Sequence, residues 1–283
     1  MNGVVTINES FVTALSSDDY LPGVLVLGKT IRETCVHSLF VLASRGLAAA
    51  TYETLQRSGI PYCTADDIVV NTTDDVVINT ADDVPASSAQ RLSCDPVYSH
   101  WPNTLFKLRV FEQTQFDKIV FIDSDIMVLE SLDDLFELSD MSAAIAGKSY
   151  PGNGDWRELN SGVLVIVPRG GSADRIAALA PAVAAEKQDF GDQDVLAAYL
   201  PGWPEEKHLH LPEECNVFFD HYHFYKKHGG VKAVHFIGRK KPWMLKRRDI
   251  PAQLIRCIVK GNAGGARILL RCRRYLKEVG ACG

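Results

Sequence analysis

Asp123 and Asp125 flank Ser124 at the end of "KIVFIDSD", residues 118–125. Lys118 to Ile122 reads as a buried strand, so both carboxylates sit where a strand stops and the backbone turns. A buried, unpaired carboxylate is costly and two close ones repel, so a cation is their natural partner. Hard oxygen ligands suit magnesium, manganese or calcium, with substrate phosphates commonly filling the remaining coordination positions. Near the other end, "VHFIGRKKPW" places His235, Gly238 and Lys241 at three-residue intervals. Imidazole is a manganese ligand, glycine lets a backbone N–H approach a phosphate, and lysine neutralises phosphate charge. Each motif alone has a structural alternative. D-x-D is common in acidic chains, a lone histidine is more often a core residue, and K-P-W is more often a turn.

The elements that must position these residues read as alternating strands and helices. "FVTAL" is a strand, "SSDDY" a loop, and Tyr20 to about Arg32 a helix opening near Pro22. The strand "SLFVLAS" follows, then the helix "LAAATYETLQRSG", closed by Gly59. Such alternation predicts an α/β sheet of parallel strands, with ligands at the strands' carboxyl ends. "SSDD" and "DSD" both occupy such ends. Downstream, "SLDDLFEL" reads as a short helix, "SAAIAG" and "LNSGVLVIVP" as strands, and 172–188 and 192–200 as helical runs. A period-eight repeat over residues 65–88, "ADDIVVNT", "TDDVVINT" and "ADDVPASS", reads as an exposed insertion, since a calcium array would need a loop glycine.

The 283 residues, 46% apolar and 23% charged, fit one large soluble globular domain. No apolar run approaches the roughly 20 residues that span a bilayer, so no transmembrane segment is expected. The start lacks the basic-then-apolar pattern of a secretory signal. Seven scattered cysteines without C-x-x-C suggest reduced thiols in a cytoplasmic protein. From Arg239 onward, thirteen Lys and Arg stand against Asp249 and Glu278, a local charge of +11, so the preceding 238 residues carry −16 of the net −5. That tail reads either as an amphipathic helical cap with its charged side in water, the favoured reading, or as a docking surface for an anionic partner. No nucleic-acid partner is expected.

In order along the chain, "FVTALSSDDYLPGVLVLG", "LFKLRVFEQTQFDKIVFIDSDIMVLESLDDLF", "LNSGVLV", "FGDQDVL", "LPEECNVF" and "VHFIGRKKPW" resemble the glycogenin-like retaining glycosyltransferases, glycosyltransferase family 8. The resemblance implies a GT-A, Rossmann-like transferase with a mixed central sheet over residues 1–245, followed by a basic helical extension over 246–283. It further implies that Asp123, Asp125 and His235 hold Mn2+ (or Mg2+) on the diphosphate of a UDP-sugar. By the same resemblance Ala14, Ser16, Ser17 and Tyr20 hold the uridine, Tyr20 by stacking. Ser17 stands where the family often has asparagine. Ser124 belongs near the ribose, Gly238 and Lys241 at the diphosphate, and Asn160 and Ser161 in the sugar pocket. Asp189, Asp192 and Gln193 would hold the sugar hydroxyls and flank the anomeric carbon. Lys107 of "FKLR" would approach diphosphate and sugar, which makes Asp192, Lys107 and Gln193 the expected catalytic residues. Retention by a covalent intermediate and by front-face attack both stay open.

The chain departs from glycogenin proper between Asn216 and His235, where the interval is several residues shorter. No tyrosine aligns with the self-modified position, although Tyr222 and Tyr225 are near; His221 and His223 read as incidental residues of a surface loop. An external acceptor is therefore expected: α-galactosyl or α-glucosyl transfer from a UDP-hexose donor to a cytosolic glycan or glycoprotein. The family's precedent is the transferase that extends a hydroxyproline-linked glycan on a ubiquitin-ligase adaptor. A self-glucosylating glycogen initiator and a non-catalytic UDP-sugar-binding scaffold are the alternatives, and the resemblance also allows a homodimer.

Overall fold

A computed structural model of the chain describes residues 8–70, 76–78, 101–187, 190–238 and 240–281. The first elements are β1 (Glu9–Leu15), α1 (Leu21–Thr34), β2 (Leu39–Ser44), α2 (Ala49–Ser58) and β3 (Tyr62–Ala65). Strands β4 (Ile68–Val70) and β5 (Val76–Ile78) pair with each other, and a long 3-10 helix covers Trp101–Glu112. Next come β6 (Lys118–Ile122), β7 (Ile126–Val128), β8 (Ala143–Ala144), β9 (Asn160–Ile166), α3 (Ser172–Ala177), α4 (Ala180–Glu186) and α5 (Asp192–Tyr199). The chain ends with β10 (Val217–Phe218), α6 (Tyr222–His228), β11 (Ala233–His235), α7 (Ile250–Val259) and α8 (Ala263–Glu278).

The main sheet has the order β3-β2-β1-β6-β9-β8. β3, β2, β1 and β6 run parallel, while β9 runs antiparallel to β6 and β8 to β9, which makes the sheet mixed. After β1 the chain builds outward through β2 and β3, then returns to place β6 on β1's other side. The strand order therefore reverses between β1 and β6, and the crevice outside their carboxyl ends is where such sheets bind ligands. Ser16 and Ser17 follow one of those strands, and Asp123 follows the other. Both faces are covered: Phe11, Leu15, Val120 and Ile122 pack into one core, Val12, Ile119 and Phe121 into the other. Burial on two sides is why "KIVFI" is continuously apolar instead of alternating.

Some elements differ from expectation. The run 172–188 divides into α3 and α4, with Pro181 in the first turn of α4, since proline cannot continue the preceding hydrogen-bond ladder. "SLDDLFEL" forms a 3-10 helix over Asp133–Glu137. The segment of His221 and His223 is not a loop, because Tyr222–His228 is helical and Tyr225 is buried on its inner side. Most of the repeat over 65–88 lies outside the described residues.

The basic C-terminal stretch forms α7 and α8. In α8, Ile268, Cys272, Tyr275 and Leu276 recur at helical spacing and pack with Val26 of α1 and Met127 of β7. Arg267, Arg274 and Lys277 stay exposed. The Tyr275 hydroxyl donates to Glu33 at 2.7 Å, and the buried Arg273 guanidinium donates to the carbonyls of Pro242 at 3.3 Å and Leu245 at 3.1 Å. Leu276→Ala is expected to lower stability by about 2–5 kcal/mol, read as an earlier urea midpoint at unchanged slope. An unmoved midpoint would mean that α8 contributes nothing to the core.

Candidate active site

The chain turns sharply after β6. The Asp123 amide donates to the Gly162 carbonyl of β9 at 2.8 Å, and the Ile126 amide donates back to the Asp123 carbonyl at 3.0 Å. β7 then pairs antiparallel with β11, with His235 opposite Ile126, and the Phe236 amide donates to the Asp125 carbonyl at 3.0 Å. That register brings His235 beside the aspartates. Its Nε2 lies 3.1 Å from Asp125 Oδ1 and 3.8 Å from Asp123 Oδ2. One ligand atom from each of the three residues falls within 4.8 Å of the others.

A directional chain of hydrogen bonds fixes the orientation of the imidazole. The Gly162 amide can only donate, so the Asn160 atom it meets at 3.1 Å is Oδ1. The same Oδ1 accepts from Asn216 Nδ2 at 2.7 Å, which turns Asn216 Oδ1 onto His235 Nδ1 at 2.9 Å. Nδ1 therefore carries a proton, and Nε2 is the ring nitrogen turned toward the two carboxylates. One atom from each residue could hold a single cation, and two hard oxygens with one imidazole suit manganese or magnesium. Gly162 is what lets them meet, because a Cβ there would stand 2.7 Å from His235 Cε1 and 2.9 Å from Asn160 Oδ1. Asn160 Nδ2 in turn donates to Gln193 Oε1 at 3.1 Å, which leaves the Gln193 amide NH2 directed elsewhere.

Two buried lysines complete the cluster. Lys107, on the 3-10 helix before β6, lies 2.9 Å from Asp123 Oδ1 and 2.9 Å from Asp192 Oδ2, and donates to the Ser161 carbonyl at 3.2 Å. Ser161 Oγ donates to the same Asp192 oxygen at 2.6 Å. Lys241 donates to Asp125 Oδ2 at 2.5 Å and to the Phe236 carbonyl at 2.7 Å, and sits 5.7 Å from the Tyr20 ring centroid. Burial works against charge on Lys107, but Asp123 and Asp192 outweigh it and raise its pKa above the usual lysine value. Burial likewise opposes charge on Asp125, yet His235 and Lys241 hold its carboxyl well below the usual range. For Asp123, burial prevails with help from Asp125, against the pull of Lys107, and the pKa is raised. Burial, then Asp125 and Asp123, pushes the Tyr20 phenol up to about 12.

Of the residues singled out by sequence, Asp123, Asp125, His235, Lys107, Asp192, Ser161, Lys241 and Tyr20 meet in this network, and Asn160 and Gln193 join it through Asn216. Ser124 is buried in the turn between the aspartates. Ala14, Ser16 and Ser17 stand at the carboxyl end of β1, and Gly238 in an exposed bend at φ +90°, which favours glycine. None of these four donates a side-chain hydrogen bond to the cluster among the described residues. Asp189 lies outside the described residues. Sequence reasoning missed Asn216, which is 0% exposed; "LPEECNVF" contains it, but only the fold reveals its partners. It also missed Trp243, whose Nε1 donates to the Asp19 carbonyl at 2.8 Å and fastens the loop after β1.

Comparison with known proteins decides the family. The sequence pattern described as Glycosyl transferase family 8 matches residues 12–246. The chain belongs to glycosyl transferase family 8. Glycogenin-1 of Mus musculus is 31% identical over 246 residues, covering 83% of this chain and 66% of the mouse protein. Glycogenin-1 of Homo sapiens is 30% identical over 246 residues, again 83% of this chain and 62% of the human one. This family 8 chain thus spans slightly less than two thirds of those relatives' length. The galactosyltransferase LgtC, solved with donor and acceptor sugar analogues, superposes with a TM-score of 0.56 at 17% identity over 96% of each chain. GlyE of Streptococcus pneumoniae TIGR4 gives 0.53 at 17% identity, over 84% of this chain and 56% of GlyE. The fold is GT-A.

Removing the partner that fixes a metal-ligating histidine costs about 10–100-fold in metal affinity. Asn216→Ala is expected to weaken Mn2+ binding by that factor, read from the free-ion EPR signal; wild-type affinity would exclude it as the residue that orients His235. Because the Asp123 pKa is raised, protons compete with the cation early. Affinity should fall on acidification well before pH reaches the ordinary aspartate value of about 3.9, whereas loss confined to lower pH would contradict the raised pKa.

Proposed function

We propose that this family 8 glycosyltransferase moves galactose or glucose, with retention, from a UDP-sugar to an external acceptor, a glycan carried on a cytosolic protein. The observation that carries the reading is the placement of His235 Nε2 against the Asp123 and Asp125 carboxylates, at the carboxyl end of β6 where the strand order reverses. Asp123, Asp125 and His235 would hold Mn2+ (or Mg2+), which when bound supplies positive charge to the donor diphosphate. Tyr20 stacks on the uracil, with Ala14, Ser16, Ser17 and Ser124 around the nucleoside.

The chain's own residues do the rest. Lys241, pinned by the Phe236 carbonyl, and the Gly238 amide receive the departing diphosphate, so charge is stabilised where it develops. Lys107 and Ser161 both bond one oxygen of Asp192. That anchors the carboxylate beside an anomeric carbon that becomes oxocarbenium-like, and suits it to electrostatic support. Asn160, Gln193 and, by resemblance, Asp189 hold the sugar hydroxyls. The C1–O bond to the diphosphate breaks and a new C1–O bond forms to the acceptor hydroxyl, whose proton leaves on UDP.

Self-glucosylation, suggested by the glycogenin relatives, is the second reading. Tyr225 does not serve it. The residue is 6% exposed and its hydroxyl is engaged by Glu213. Manganese-dependent UDP release from a panel of UDP-sugars, with intact mass taken in parallel, tests both readings. One sugar should be hydrolysed and Asp125→Ala should release UDP at least about 100-fold more slowly. Equal release by the variant would remove the metal site from the mechanism, and a mass increase by hexose units without acceptor would establish the second reading.

A further inference from the structure

The functional reading above leaves the acceptor's own contacts unassigned, and the inference rests on that reading. A cavity of about 610 Å³ opens beside Asn160 and Gln193 and is lined as well by Asp155, Trp156, Glu158 and Phe218. Its volume is within the range of small-molecule sites, about 300–1,000 Å³. Trp156 is 43% exposed, and an exposed large aromatic at a cavity is the informative kind of exception. It is also held in place. Its amide closes a turn onto the Asn153 carbonyl at 2.9 Å, and its ring lies over Gly147, where a Cβ would stand 3.2 Å away. The Phe218 ring is 6.4 Å from that of Trp156 and 6.0 Å from that of His235, so aromatic surface runs from the cavity mouth to the metal-ligand cluster.

We propose that this cavity is the acceptor subsite and that it takes a neutral pyranose, its C–H face on Trp156 and its hydroxyls toward Asp155 and Glu158. Those carboxylates only accept hydrogen bonds, and a sugar supplies several donors at once. An anionic acceptor would meet them as like charges. Arg157 also lines the cavity, and its guanidinium is taken up by Glu205 at 3.5 Å. A tyrosine would also stack on the indole, but its one hydroxyl would be the reacting group and would leave the two carboxylates unserved.

The test uses the full chain, the UDP-sugar it hydrolyses, and as acceptors methyl glucosides, methyl galactosides, maltose, lactose and N-acetyl-tyrosinamide. Wild type should transfer to at least one glycoside. Trp156→Ala should raise the KM for that glycoside about tenfold while moving the KM for the donor less than about twofold, and Trp156→Phe should restore most of the loss. Unchanged glycoside KM in Trp156→Ala, or transfer to the tyrosine amide alone, overturns the subsite. Wild-type UDP release with transfer to no glycoside also overturns it and leaves the donor chemistry standing. Release of UDP from no donor contradicts the functional reading and takes the inference with it.

Discussion

Three atoms of metal-ligand type converge where β6 ends, and two of them repel each other unless positive charge is supplied. Two are carboxylates. The third is an imidazole nitrogen whose orientation is set from outside by Asn216, Asn160 and finally the backbone amide of Gly162. The remainder of the site follows from supplying that charge without letting it wander. Lys107 and Lys241 each bond an aspartate on one side and a backbone carbonyl on the other. Such lysines are fixed point charges with little freedom to follow a ligand, and they hold the field in advance of the reaction.

The fold delivers this convergence from distant parts of the chain. Asp123 arrives on a strand of the main sheet, His235 on a strand of the small β10-β11-β7 sheet, and β7 links the two because it continues directly from β6. Lys107 comes from the 3-10 helix before β6 and Asp192 from the start of α5, and Ser161 at the start of β9 ties them together. A one-residue slip in the β7–β11 pairing would turn His235 to the opposite face. Packing of α8 against Val26 and Met127 backs α1 and β7 from behind, so the basic tail contributes to the frame that holds the β7–β11 register.

Much of this was legible in sequence. "KIVFI" is a strand over the very residues expected, and "FVTAL" with the two helices after it gave the parallel half of the sheet, because apolar period and turn residues are local signals. The D-x-D and H-x-x-G-x-x-K spacings pick out residues that the fold brings together, because each motif sits at an element's end. Asn216 was not legible. A buried asparagine looks the same in sequence whether it caps a turn or orients a ligand, and its meaning lies in partners 19 and 56 positions away. The helical state of "YHFYKKH" was also missed, since its histidines and aromatics suit a loop as well as a helix until Tyr225 finds its buried place.

The most direct test is pulsed EPR of the protein–Mn2+–UDP complex prepared with 15N-labelled histidine. One 15N coupling, absent in His235→Gln, is the predicted result, since it requires Nε2 to face the ion. A bound manganese that shows no histidine nitrogen coupling would contradict the account at its centre.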